Sequence, residues 1–416
     1  MMRDPRKLRL LTLGLALAMF GAAACGGDDG GAPDEAGKPA DGVAEATGDP
    51  GPASPAAQTR STLNGLLQEH VILAAAAANA TLGGRADEFT AAGAALEANS
   101  NALTAAVAGV LGDAVGQTFD PLWKRHIAMV VSYTQGLAAK DKAKQDQAVT
   151  ELTAYAGEFG TFVNSVLPDL TKDSVADLVG RHITTLKAVI DAQADNDVVK
   201  AYTDLRTAAG HMGLIAEGLG TAMAAKFPDK VAGNPKGAGA TLVTTLNMGL
   251  REHVFLAAGA TGAALGGRAE EFTAAASALK SNSNSLTEAM TNIYGPDAGK
   301  AFGPLWEQHV GFVVEYTTGL AARDKAKQDK AVTDLVQYSA NFGAFLSTAS
   351  PALAKETVTE LIKTHILTLK DVIDAQSKKD LADAYTKLRT AADHMKALAN
   401  PLADALVQQF PDKFQA

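Results

Sequence analysis

From about residue 60 to the end of the chain, apolar side chains recur at three- and four-residue intervals. That period matches a helix turn, and no convincing run shows the two-residue alternation of a strand. Ala, Leu, Lys, Glu and Gln dominate the same stretch, and these residues lose little on entering a helix. The pattern is interrupted near Gly83-Gly84, Gly112-Asp113, Lys140-Asp141, Pro168 and Asp195-Asn196. These breaks predict six helices of roughly 20 residues. Asp120-Pro121 reads as a further start signal, a capping carboxylate followed by the residue best suited to a first helical position. Short connections make consecutive helices antiparallel, so the segment should fold as three helical hairpins.

The arrangement is then written a second time. Leu82-Gly83-Gly84-Arg85-Ala86 returns as Leu265-Gly266-Gly267-Arg268-Ala269, and Pro121-Leu122-Trp123 returns as Pro304-Leu305-Trp306. Each copy closes on Phe-Pro-Asp-Lys, at Phe227 to Lys230 and Phe410 to Lys413. The expected class is all-α, with two tandem antiparallel helical bundles of about six helices each. One covers 61–231 and the other 245–414, joined by a Gly/Pro linker over 232–244. Each is long enough to bury its own core.

Histidine follows this double pattern completely. His70, His126, His182 and His211 return as His253, His309, His365 and His394, each shifted by 183 positions, and no other histidine occurs. The first three of each set are spaced by 56 residues and share a template. It is two mostly apolar residues, two polar ones, His, then a β-branched residue, as in Leu122-Trp123-Lys124-Arg125-His126-Ile127. Gly249 breaks the apolar pair ahead of His253. Apolar residues three and four places before a histidine lie on its own helical face, so the imidazole should point into the core. An alignment with a small gap gives the second helix of each hairpin an interior polar position. Asn99, Glu158 and His211 occupy it in the first copy, and Asn282, Asn341 and His394 in the second.

Three parallel helices would then bring three imidazoles to one height, with His211 or His394 entering from a neighbouring helix. Such a cluster suits copper, zinc or iron. Glu158, Met212 and Met395 are accessory candidates. Glu69 and Glu252 precede their histidines and point about 100° away round the helix, so they should lie beside the site or at the surface. Haem b is the alternative occupant, held by paired axial imidazoles. The small residues Ala74 to Ala78, and Ala257, Ala258 and Gly259, would leave it room. The structural alternative makes all eight histidines inherited core residues satisfied by local hydrogen bonds. Against it, the two copies differ at many positions while every histidine stays matched.

The N-terminus changes where this chemistry would take place. Met1 to Ala24 reads as an export signal, with Arg3, Arg6, Lys7 and Arg9 ahead of an apolar run too short to span a bilayer. Gly21-Ala22-Ala23-Ala24-Cys25 resembles the lipobox of bacterial lipoproteins, with Ala22 where that pattern usually has Leu. The resemblance implies cleavage before Cys25, lipidation of its thiol, and anchoring on the outer side of the cell membrane. Residues 26 to about 60, rich in Gly, Asp, Pro and Ala, should form a flexible tether. Cys25 is the only cysteine, so disulfides, thiolate sites and c-type haem attachment are excluded from the fold. The net charge is −9, and losing the basic leader takes it to about −12, which argues against nucleic acid as a partner.

Leu66 to His70, Leu122 to His126, Ala201 to Met212 and Phe227 to Lys230, with their second-copy counterparts, resemble a helical extracytoplasmic domain of Gram-positive bacteria. That domain is found in exported proteins labelled copper-amine-oxidase-like. The label belongs with an adjoining β-rich domain, so the resemblance implies no oxidase activity and only a lean towards copper. Nucleophile elbows, phosphate-cradling loops and two-histidine protease motifs are absent from the sequence. The expected function is therefore non-enzymatic. A lipid-anchored protein would bind a transition metal through four histidines per copy, for storage, sensing or delivery, exchanging it with another extracytoplasmic protein. Haem b binding and a ligand-free surface scaffold are the alternatives.

Overall fold

The computed structural model describes residues 51–414. The leader, Cys25 and most of the expected tether lie outside the described residues. The first copy supplies α1 (Pro55–Leu82), α2 (Ala86–Leu111), α3 (Asp113–Ala138), α4 (Lys142–Val166), α5 (Lys172–Ala194) and α6 (Val198–Lys226). The second supplies α7 (Ala238–Leu265), α8 (Ala269–Tyr294), α9 (Pro296–Ala322), α10 (Lys325–Ala349), α11 (Lys355–Ser377) and α12 (Leu381–Gln409), followed by the short α13 (Pro411–Phe414). No strand occurs among the described residues, as the all-α expectation requires.

Helix ends follow local chemistry. Asp141 caps α4 by accepting the Lys144 amide at 3.0 Å, and Asp324 caps α10 in the same way. Asn196 and Lys379 take left-handed backbone at the equivalent turns α5–α6 and α11–α12, with φ 57° and 61°. Two expected boundaries move. Asp120-Pro121 lies inside α3, which starts at Asp113 and runs through Pro121. Asp120 instead accepts hydrogen bonds or charge from Thr104 and Lys124. Helix α1 begins at Pro55, capped by Ser54, and α7 begins at Ala238, so residues 55–60 of the tether and 238–244 of the linker are helical.

Within each copy the six helices close a ring in chain order, and the odd-numbered helices also touch one another inside it. Helix α1 is buried along most of its length. The two copies do not stand apart as separate bundles. Helix α1 packs along α7, while α2 meets α12 and α8 meets α6. These contacts are reciprocal, as across a two-fold axis, and the described helices form one compact unit.

Glu69 and Glu252 provide the polar chemistry of this junction. Arg389 on α12 donates to Glu69, and its counterpart Arg206 on α6 donates to Glu252 at 2.9 and 3.2 Å. Glu69 also accepts from Arg251 at 3.0 Å. Gln68, at the position equivalent to Arg251, donates instead to the Met248 carbonyl at 3.1 Å. Glu69, buried, and Glu252, partly buried, are thus anchors between the copies and not surface groups. No described helix is long and apolar enough to cross a membrane.

Candidate metal centre

His70 on α1, His126 on α3 and His182 on α5 converge inside the first ring, each with 5% of its surface or less exposed. One donor nitrogen from each lies within 4.8 Å of those of the other two. The Nε2 atoms of His70 and His126 are 3.2 Å apart. His253, His309 and His365 repeat the cluster, with 3.3 Å between the Nε2 atoms of His253 and His309. Three nitrogens bound to one ion at about 2.0–2.1 Å stand roughly 3.4 Å from one another. One edge of each triangle therefore already has ligand spacing, and the others need to contract by no more than about 1.4 Å.

Aromatic rings set the imidazole orientations. Trp123, one turn before His126 on α3, meets that ring edge-on at 4.5 Å and lies 4.7 Å from the His70 ring. Tyr155 on α4 stacks on His126 at 5.2 Å with 27° between planes. Trp306 and Tyr338 repeat both contacts, with Tyr338 5.0 Å from His309. No protein group hydrogen-bonds the Nδ1 atom of any of the six imidazoles. Buried polar atoms are otherwise paired in native proteins, at a cost of about 1–3 kcal/mol when they are not. The same three positions are unpaired in both copies.

Electrostatics keeps these rings neutral. Burial comes first and the neighbouring imidazoles second, holding His70 and His253 well below the ordinary histidine value. Burial and then His182 bring His126 down to about 3, and burial and then His211 bring His182 to about 4. The Trp123 carbonyl tempers the fall at His126, although it does not lie in hydrogen-bonding geometry. In the second copy burial takes His309 to about 4, and burial with His309 takes His365 to about 3. At pH 7 each triangle thus presents unprotonated imidazoles, the form that coordinates metals.

The fourth histidines do a different job. The Nε2–H of His211 donates to the Leu178 carbonyl at 2.9 Å, and that of His394 donates to Leu361 at 3.0 Å. Asn99 and Asn282 make the same bond to Leu66 and Gly249, both at 3.0 Å. All four partners are 33 residues apart, and each carbonyl lies four places before a triad histidine. The hairpins therefore align without a gap. The residue at this offset in the middle hairpin is Tyr155, the ring that stacks on His126.

The gapped alignment that selected Glu158 and Asn341 is corrected accordingly. Glu158 is exposed and paired with Arg125, and Asn341 accepts from Gln337 on the surface. Met212 and Met395 are core residues, buried among apolar side chains. Ala74, Ala75, Ala77 and Ala78 are buried in helix packing, and the space beside His70 and His126 is about 20 Å³. Sequence reasoning missed Trp123, Tyr155, Trp306 and Tyr338 as walls of the site. The constant offset of 29 residues from each first-helix histidine to its second-helix partner is the signal that would have found the tyrosines. Comparison of the chain with models of known families, with curated proteins and with solved structures gives no match.

Proposed function

We propose that each copy holds one transition-metal ion on three imidazoles, His70, His126 and His182 in the first and His253, His309 and His365 in the second. The protein acts by binding, storing or handing over that metal, with no chemistry of its own. The observation that carries this reading is the pair of matched, buried, carboxylate-free triangles with a donor contact of 3.2 or 3.3 Å in each. Neutral ligands leave the ion's whole charge inside an apolar core, and that cost rises steeply with charge. Monovalent copper, content with three nitrogen donors, suits the site better than a divalent ion. An ion is favoured over haem because the imidazoles of each triangle are in mutual contact, with no slot between them for a macrocycle. With Cys25 read as a lipid anchor, the metal would be held on the outer side of the cell membrane.

The chain's only two tryptophans each pack against one triangle. Titration of tag-free protein with copper(I), zinc(II) or iron(II) should therefore change tryptophan fluorescence and saturate at two ions per chain. His126→Ala should leave one. Haem binding would instead give a Soret band. Retention of neither metal nor haem after reconstitution with each would overturn the reading in favour of a ligand-free scaffold.

A further inference from the structure

A cleft of about 840 Å³ runs between α3, α4, α5 and α6, and its walls include His126, His182 and His211. The first triangle can thus be reached past His211, which is only partly buried while the triad itself is almost fully enclosed. The bond from Nε2–H to the Leu178 carbonyl fixes the tautomer of His211, so the neutral ring carries its lone pair on Nδ1. Metal-binding histidines are commonly held in this way, with the second nitrogen donating to a backbone carbonyl. His211 and His182 line the same cleft, and His211 lies outside the triangle.

The hairpin bond does not itself require an imidazole. Asn99 satisfies the Leu66 carbonyl while fully buried, and Asn282 does the same in the second copy. Histidine stands only in the third hairpin of each copy. The cationic groups on the cleft wall are already neutralised, Arg181 by Asp177 at 3.1 Å and Lys187 by Asp191 at 2.6 Å. They therefore raise little barrier to a cation.

We propose that Nδ1 of His211 is the first donor an incoming metal ion meets, and that it passes the ion by ligand exchange to His182 and the buried triangle. This inference rests on the triangle being a metal centre. No electron or covalent bond within the protein changes hands, and only donor nitrogens replace one another on the ion. His394 has the same tautomer, fixed by its bond to the carbonyl four places before His365.

The decisive variant is the full chain carrying His211→Asn and His394→Asn. Asparagine keeps the bond to the carbonyl, as Asn99 does, and removes the imidazole lone pair. Anaerobic stopped-flow mixing with copper(I), followed by tryptophan fluorescence, should show loading and release both slowed about tenfold or more, with affinity and the stoichiometry of two unchanged. Unchanged rates would overturn the proposal. A loss of affinity matching that of His126→Ala would overturn it as well, by making His211 a permanent ligand. Failure of the unsubstituted protein to bind copper at all would remove the metal centre itself, and is distinguished by zero stoichiometry before any substitution.

Discussion

Acid should unfold the metal-free protein earlier than carboxylate titration alone would. Six imidazoles are enclosed and kept neutral by the fold, with folded values of about 3 for His126 and His365 and about 4 for His182 and His309. In the unfolded chain each would titrate near an ordinary value of about 6.5. Between these limits the unfolded state binds more protons, so stability falls as pH falls, by about 1.4 kcal/mol per unit for each imidazole. At pH 5 that is about 2 kcal/mol per ring and on the order of 12 kcal/mol for all six. A whole domain is stable by only about 5–15 kcal/mol. The chelator-treated chain should thus approach its unfolding midpoint near pH 5. Saturating metal should hold it folded to lower pH, because only the folded state offers the triangle. Urea unfolding followed by circular dichroism between pH 8 and pH 4.5 measures the slope. Replacing all three histidines of the first copy by leucine should halve it. A midpoint equal at pH 7.5 and pH 5, or folded imidazole resonances titrating near the ordinary value, would refute the reasoning.

Glu69→Ala should cost about 3–5 kcal/mol, because Arg251 is almost completely buried and would keep only the more distant, exposed Asp393 at 3.9 Å. Glu252→Ala should cost clearly less, since its partner Arg206 is more exposed. Equal urea midpoints for the two variants would remove the asymmetry. Gly160→Ala should destabilise α4, because the new methyl would meet the Lys172 carbonyl oxygen at 2.4 Å. Gly157→Ala on the same helix meets nothing within 4 Å, and should stabilise the protein by up to about 1 kcal/mol. Thermal denaturation ranks this pair, and the opposite order would contradict the packing described here.

The triad was legible in the sequence because its template recurs at a fixed spacing and apolar neighbours turn each imidazole inward. Periodicity and breaks at Gly112, Lys140 and Asn196 likewise foretold the six helices of each copy. His211 was not legible in the same way. Residue type and face place its ring, but a single hydrogen bond to Leu178 decides where its lone pair goes. Glu158 was chosen by matching apolar residues, whereas the shared feature is a contact geometry that accepts Asn, His or Tyr. Asp120-Pro121 carries genuine cap chemistry, yet the turn at Gly112, with φ 98°, starts the helix earlier. The union of the two copies was hidden because a few side chains on otherwise ordinary helical faces carry its polar contacts. Glu69 was expected beside the site or at the surface, and nothing in the local pattern marks Arg251 and Arg389 as its partners.

Arg251 has a consequence for how the two halves can change. In a symmetric pair of identical subunits, any substitution appears on both sides of the axis at once. Here one chain carries both halves, so position 251 can hold a buried guanidinium that bonds Gly65 and Ala392 carbonyls as well as Glu69. Its twin can remain the uncharged Gln68. A mirrored arginine would press a second cation into the same junction. Joining the copies in one polypeptide makes their association independent of protein concentration. It also releases each histidine triangle to change while the other keeps its original setting.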